Sequence, residues 1–173
     1  MDRLKWIGMV FVICAAAYGG ISLAADLRKR SGLLRNLEQS LQILKGELRF
    51  CGTALPQAFA VTGAGSDADV RKLWLLMAEE MKNHRWLPAA DCMRRSLKQL
   101  PSVSANKQAS EVLVKMCAGL GSYDLDYQIL CIEQAADRLC SFVQEAEREQ
   151  KGKCKMYRAL GFSMGLAIVI LLI

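Results

Sequence analysis

Apolar and polar positions alternate along most of this chain with the period of a helix. The leucines Leu34, Leu37, Leu41, Leu44 and Leu48 recur at spacings of three and four, which puts them on one stripe of an α-helix. Gly52 stops that run. Pro56 suits the first turn of the next helix, where a missing N–H costs nothing because first-turn amides have no partner inside the helix. Leu55, Ala58 and Phe59 are expected to close inwards. The glycines of Gly63-Ala-Gly65-Ser66-Asp67 then turn the chain, with Ser66 or Asp67 available as a cap. A second long helix carries Val70, Leu73, Trp74, Met77 and Met81 on one face, ends near Asn83 to Trp86, and gives way to a short helix opened by Pro88. The stretches "TALPQAFAV" and "RWLPAADCM" thus use one Leu-Pro-x-Ala step twice, and common turn physics accounts for the echo as well as duplication does.

Pro101 and Ser102 to Ser104 separate this from a fifth helix with Ala109, Val112, Leu113, Met116 and Leu120 inward, stopped by Gly119-Leu120-Gly121. Asp124 or Ser122 caps the last helix, whose stripe runs Leu125, Ile129, Ile132, Ala136, Leu139, Val143, Ala146 with only Gly152 as an interruption. The first and last of these helices carry heptad-like seams and are expected to pack antiparallel. No segment alternates at period two, so no strand is predicted. The fold class is all-α, an antiparallel bundle of about six helices.

Both ends of the chain are apolar. Trp6 to Ala25 is an uncharged run of 20 residues, long enough at 1.5 Å per residue to cross roughly 30 Å of hydrocarbon. Arg3, Lys5 and the Ser22-Leu23-Ala24 step also resemble a signal peptide, but the run is long and Arg28-Lys29-Arg30 follows at once, which favours an uncleaved anchor. Ala159 to Ile173 is shorter and reads as a minimal second anchor, extended by Met156 and Tyr157 while Arg158 snorkels. Its Gly161-x-x-x-Gly165 spacing puts two small residues on a possible packing face. The organisation expected is a tail (1–5), a transmembrane helix (6–25), a helical bundle (26–158) and a C-terminal transmembrane helix (159–173). Arg28, Lys29, Arg30 and Arg35 after the first anchor, with Lys151, Lys153, Lys155 and Arg158 before the second, predict a cytoplasmic body.

Charge and reactive groups narrow the chemistry. The net charge of +6 gathers beside the apolar ends, as in contacts with anionic lipid, and lacks the interleaved aromatics of a nucleic-acid surface. Seven cysteines at 14, 51, 92, 117, 131, 140 and 154 form no C-x-x-C pair and read as thiols in a reducing compartment. The single histidine, His84, has no nucleophile or carboxylate arrangement around it and reads as a helix-end residue. No catalytic residue, metal site or cofactor is predicted, and the chain is not expected to be an enzyme.

Two stretches carry a resemblance. "LKGELRFCGTALPQAF", Leu44 to Phe59, resembles the helix-turn element of the stage III sporulation protein AB family, and "GLGSYDLDYQ", Gly119 to Gln128, is similar to that family's Leu-Gly-x-x-Asp turn followed by a glutamine. That family is in turn similar to the helical domains of type II secretion and type IV pilus inner-membrane platform proteins, although this chain has one such domain and not two in tandem. The resemblance implies a membrane-anchored, non-enzymatic platform or adaptor of the mother-cell to forespore transport complex, in the mother-cell membrane around the forespore. It also implies partners: a cytoplasmic secretion-type ATPase, stage III sporulation protein AA, other stage III sporulation membrane proteins and lipid, and it leaves a homo-oligomer open. Carried over as motif positions are Glu47, Thr53, Asp124 and Gln128, candidates for partner binding, with Pro56 and Gly121 as structural positions. Each also has a plain structural reading, Thr53 and Asp124 as caps, Glu47 and Gln128 as polar groups at helix contacts. The competing reading is a regulatory module whose basic surface, Lys82, Arg85, Arg94, Arg95, Lys98 and Lys107, captures an acidic protein or lipid.

Overall fold

A computed structural model describes the backbone of residues 28–121 and 124–172, with side-chain surroundings given as far as Gln150 and at Gly152. The described residues form seven helices and no strand: α1 (residues 28–50), α2 (Leu55–Ala64), α3 (Ala68–Asn83), α4 (Ala89–Lys98), α5 (Pro101–Ser104), α6 (Lys107–Ala118) and α7 (Leu125–Leu172). The chain divides into two compact units, a body of Gly32–Val143 and a second unit that takes in the described residues 28–31 and 144–172. Among the described residues no helix is long and apolar enough to cross a membrane. The predicted anchor at 6–25 lies outside the described residues. The predicted anchor at 159–173 falls in the last part of α7, where the backbone is helical to Leu172 and the side chains, those around Gly161 and Gly165 included, lie outside the described surroundings.

The leucine stripe of α1 forms the expected seam. Leu34, Leu37, Leu41, Leu44 and Leu48 are all buried, as are Ile129, Ile132, Ala136, Leu139 and Ala146 along α7. Leu125 departs from its predicted place: it is 42% exposed, because it is the first residue of α7 and stands beyond the seam. On α3, Val70, Leu73, Trp74 and Met77 are buried, while Met81 is half-buried near the helix end. Phe59 of α2 stacks on Trp74 of α3, ring centroids 5.4 Å apart and planes 10° from parallel. α2 packs on α3, α3 on α4, and α4 on α6.

The bundle has one helix more than predicted between 26 and 158, because Pro101–Ser104 forms a single helical turn, α5, with Pro101 in its first turn. A proline read as a break is here a start. The two Leu-Pro-x-Ala steps also differ by two register positions: Pro56 is the second residue of α2, which begins at Leu55, whereas Pro88 is the residue before α4. Asp67 stands at the N-cap of α3 without a side-chain capping bond. Its carboxylate instead accepts from Asn36 Nδ2 of α1, tying the start of α3 to the seam helix. Asn106 caps α6 through its side chain, its Oδ1 accepting from Ala109 N at 3.2 Å.

The thiols sort by burial. Cys92 and Cys117 are buried, Cys131 is half-buried, and Cys51 and Cys140 are exposed. Burial pushes the Cys117 thiol far above its ordinary value, with neighbouring Cys92 adding to the effect, and burial followed by the Glu80 charge pushes Cys92 the same way. Thiolate is the reactive form. In the folded full-length chain with Cys14 and Cys154 changed to serine, maleimide should modify Cys51 and Cys140 rapidly. Cys92 and Cys117 should react only after denaturant is added, as read by mass spectrometry. Fast labelling of either buried thiol under native conditions would contradict the packing of α4 on α6.

Candidate partner-binding end of the body

One end of the body is made by two turns. At the close of α1 the amides of Cys51 and Thr53 both reach back to the Glu47 carbonyl, at 3.3 and 3.4 Å. Gly52 between them takes φ 59°, the left-handed conformation that glycine adopts without steric cost. This wrap lets Thr53 Oγ1 donate to the Glu47 carboxylate at 3.1 Å. Both residues are half-buried, so the bond orders a polar pair that water still reaches. The Ala54 carbonyl accepts from Gln57 N and Ala58 N at 2.9 Å each, starting α2, and Pro56 sits where no donor is required.

The second turn follows α6. Gly119 N donates to the Met116 carbonyl at 3.0 Å, and Gly121 adopts φ 84°. A Cβ at Gly121 would lie 3.3 Å from Leu55 Cδ1, so the two motif turns touch. A Cβ at Gly119 would lie 2.5 Å from Cys131 Sγ, so the end of α6 closes directly on α7. Asp124 is exposed before α7 and its carbonyl accepts from Gln128 N at 3.1 Å. Gln128 is half-buried on the first turn of that helix.

The meeting of these turns places the C-terminal end of α1 beside the start of α7. About one and a half turns back along α1 and two turns along α7, Lys45 Nζ and Glu133 Oε1 lie 2.7 Å apart, so within the body α1 and α7 run antiparallel, as the seams imply. The Lys45 ammonium, through its hydrogen bond and its charge, holds the Glu133 carboxyl below the usual range. A depressed carboxyl stabilises the fold while it is ionised, so this support is present at neutral pH and is lost as pH falls through the folded-state value.

Of the predicted partner-binding residues, the structure joins Glu47 to Thr53 and sets Asp124 and Gln128 at the adjoining turn; Pro56 and Gly121 shape those turns. Three exposed apolar side chains at this end were not anticipated: Phe50 (82% exposed), Leu125 and Tyr127. Arg49 Cζ lies 6.0 Å from the Phe50 ring centroid, within cation–π range. His84 occupies the end of α3, with Nδ1 3.3 Å from Glu80 Oε2. Glu80 also stands 4.0 Å from Arg95 Nη1 and accepts from Gln99 Nε2 at 3.4 Å. Arg95 is therefore turned towards α3 and is engaged within the body.

A family model described as stage III sporulation protein AB matches residues 5–173. The chain belongs to that family. Stage III sporulation protein AB of Bacillus subtilis (strain 168) is 28% identical over 170 residues, which is 98% of this chain and 99% of that protein. A solved structure of stage III sporulation protein AB aligns with a TM-score of 0.63 at 24% identity, over 72% of this chain and 98% of the other, and so shares its fold. For a member of the stage III sporulation protein AB family, the two motif stretches therefore converge in space and are not separate features.

The tightest point of this end is Gly119. Its φ of −87° is open to any residue, so a side chain there meets crowding and not backbone strain. Gly119→Ala is expected to cost about 1–3 kcal/mol by overpacking against Cys131, seen as a lower denaturation midpoint. Adding Cys131→Ala should recover most of the loss. A double variant no more stable than Gly119→Ala would show that the close approach to Cys131 is not the cause.

Proposed function

We propose that this protein is a membrane-anchored, non-enzymatic platform component of the mother-cell to forespore transport complex, and that it docks the cytoplasmic secretion-type ATPase, stage III sporulation protein AA, on the end where its two turns meet. The observation that carries the reading is the approach of Leu55 to Gly121, near enough that a Cβ added there would lie 3.3 Å from Leu55 Cδ1, which supports reading both family-motif stretches as one end of the body. Glu47, Thr53, Asp124 and Gln128 supply hydrogen-bonding groups there, and Phe50 supplies an aromatic side chain of the kind that anchors protein interfaces. The anchors are residues 6–25 and 159–173, and Gly161 and Gly165 pack against another transmembrane helix. Flanking positive charge supports a cytoplasmic body, and membership of the family supports the mother-cell membrane around the forespore as the membrane it occupies.

Substituting Glu47, Thr53 and Gln128 together with alanine should weaken recovery of the ATPase with the full-length protein by about tenfold or more, since a few residues carry most of the binding energy of a docking site and truncating one of them costs over about 1 kcal/mol. Helical content by circular dichroism should stay unchanged, because none of the three is in the buried core. Phe50→Ala alone should weaken recovery in the same direction. Full ATPase binding by the triple variant, with normal spore formation, would exclude this docking site.

Topology has its own reporters in the exposed native thiols. In intact cells an impermeant maleimide should leave Cys51 and Cys140 unmodified, and detergent permeabilisation should expose both. Cys92 and Cys117 are unsuitable for this purpose, since burial protects them on either side of a membrane. Modification of Cys51 or Cys140 in intact cells would reverse the orientation.

A further inference from the structure

α4 and α6 pack on one another and leave a groove of about 640 Å³ along their outer side. Leu97, Val114 and Ala118 give it an apolar lining, and Arg94, Lys98 and Lys115 bring three positive charges to it. Glu111 is the one acid among its lining residues. Arg94 also holds Asp91 at 2.8 Å, an exposed pair three residues apart of a kind that contributes little and is readily exchanged. The groove therefore asks for an occupant with apolar side chains and negative charge on one face.

The body carries such a face on another helix. Asp126, Leu130 and Asp137 are exposed on α7 and, at 100° per residue, fall within about 40° of one another around its axis. Tyr127, also exposed, flanks them. α6 has 12 residues and Asp126 to Asp137 spans 12 residues, so ridge and groove are each roughly 18 Å long.

We infer that the groove between α4 and α6 receives the Asp126–Asp137 ridge of α7 from a second copy of this chain. Leu130 enters between Leu97 and Val114, and the two aspartates meet Arg94, Lys98 and Lys115. Groove and ridge are different patches of one body, so each copy gives one and receives one. The association is heterologous and repeats, as a ring if the rotation closes and as a row if it does not. Gln128 stands about 180° around α7 from the centre of this ridge, so this candidate docking residue faces away from the second copy. The contact is independent of the proposed ATPase docking.

The test uses two charge-reversed forms of the full-length chain in mild detergent, one with Arg94→Glu, Lys98→Glu and Lys115→Glu, the other with Asp126→Lys and Asp137→Lys. Molar mass is followed by light scattering across protein and salt concentration. The unaltered chain should self-associate in a salt-sensitive way, and each variant alone should need about tenfold or more protein to reach the same mass. An equimolar mixture should recover association, because the acidic groove of one then faces the lysine ridge of the other while the native pair remains on the reverse contact. Recovery on mixing also shows that neither variant is misfolded. A monomer at every concentration, unaltered association of either variant, or a mixture that stays dissociated would each overturn the inference. A chain that stays monomeric but whose groove binds a synthetic acidic amphipathic peptide, lost on reversal of Arg94, Lys98 and Lys115, would also overturn it by assigning the groove to another protein.

Discussion

Water is excluded from one face of α1 over about four helical turns, and the arrangement of the body follows from that exclusion. Five leucines lie on this face, none more than 4% exposed, and burying a leucine is worth about 1.5–3 kcal/mol relative to leaving it in water. A stripe of that kind accepts partners only along its length. Around it the other elements are fixed by individual contacts. Asn36 holds the start of α3 through Asp67, Ile43 meets the turn at Gly65, and Lys45 pairs with Glu133 of α7. The apolar face supplies the driving force, and the polar contacts at its margins select the register.

The turn end shows how local backbone chemistry prepares a surface. Two glycines with positive φ end two helices, and each reversal exposes side chains that a continuing helix would have kept in line. Phe50, Asp124 and Leu125 stand at these reversals. The Glu47–Thr53 bond limits the rotamers of two groups before any partner arrives, which lowers the ordering cost of engaging them. At the other helix junction, His84, Arg95 and Gln99 stand around Glu80, so that part of the basic stretch lies against α3.

Helical periodicity made the seams of α1, α3, α6 and α7 legible, because a residue repeating every three or four positions is buried for one shared reason. It could not distinguish the first residue of a seam from one just beyond it, which is why Leu125 reads inward and stands outward. Nor could it find α5, since Pro101 followed by serines reads equally as a break and as a first turn. The capping role of Asn106 was readable in its residue type but hidden by the same misjudged boundary. For the candidate site, the motif stretches around Glu47–Phe59 and Gly119–Gln128 were visible in the sequence, and their placement at one end followed from antiparallel α1 and α7. The groove between α4 and α6 was not visible, because its charges come from two helices whose relative rotation no single stretch encodes. Arg94, Arg95 and Lys98 look alike in sequence, yet Arg95 faces Glu80 while the other two line the groove.

The approach of Gly119 to Cys131 has a consequence for how such a chain can drift over generations. The two positions share one small volume, so an atom gained at either must be lost at the other or moved by backbone adjustment. A lineage that acquires alanine or serine at the first position is expected to hold alanine or glycine at the second, and a bulky residue at the second commits the first to glycine. Pairs bound in this way change together or not at all. The link is steric and indifferent to partner, membrane or cargo, so it should persist wherever this helix junction does, even among proteins whose docking surfaces have diverged.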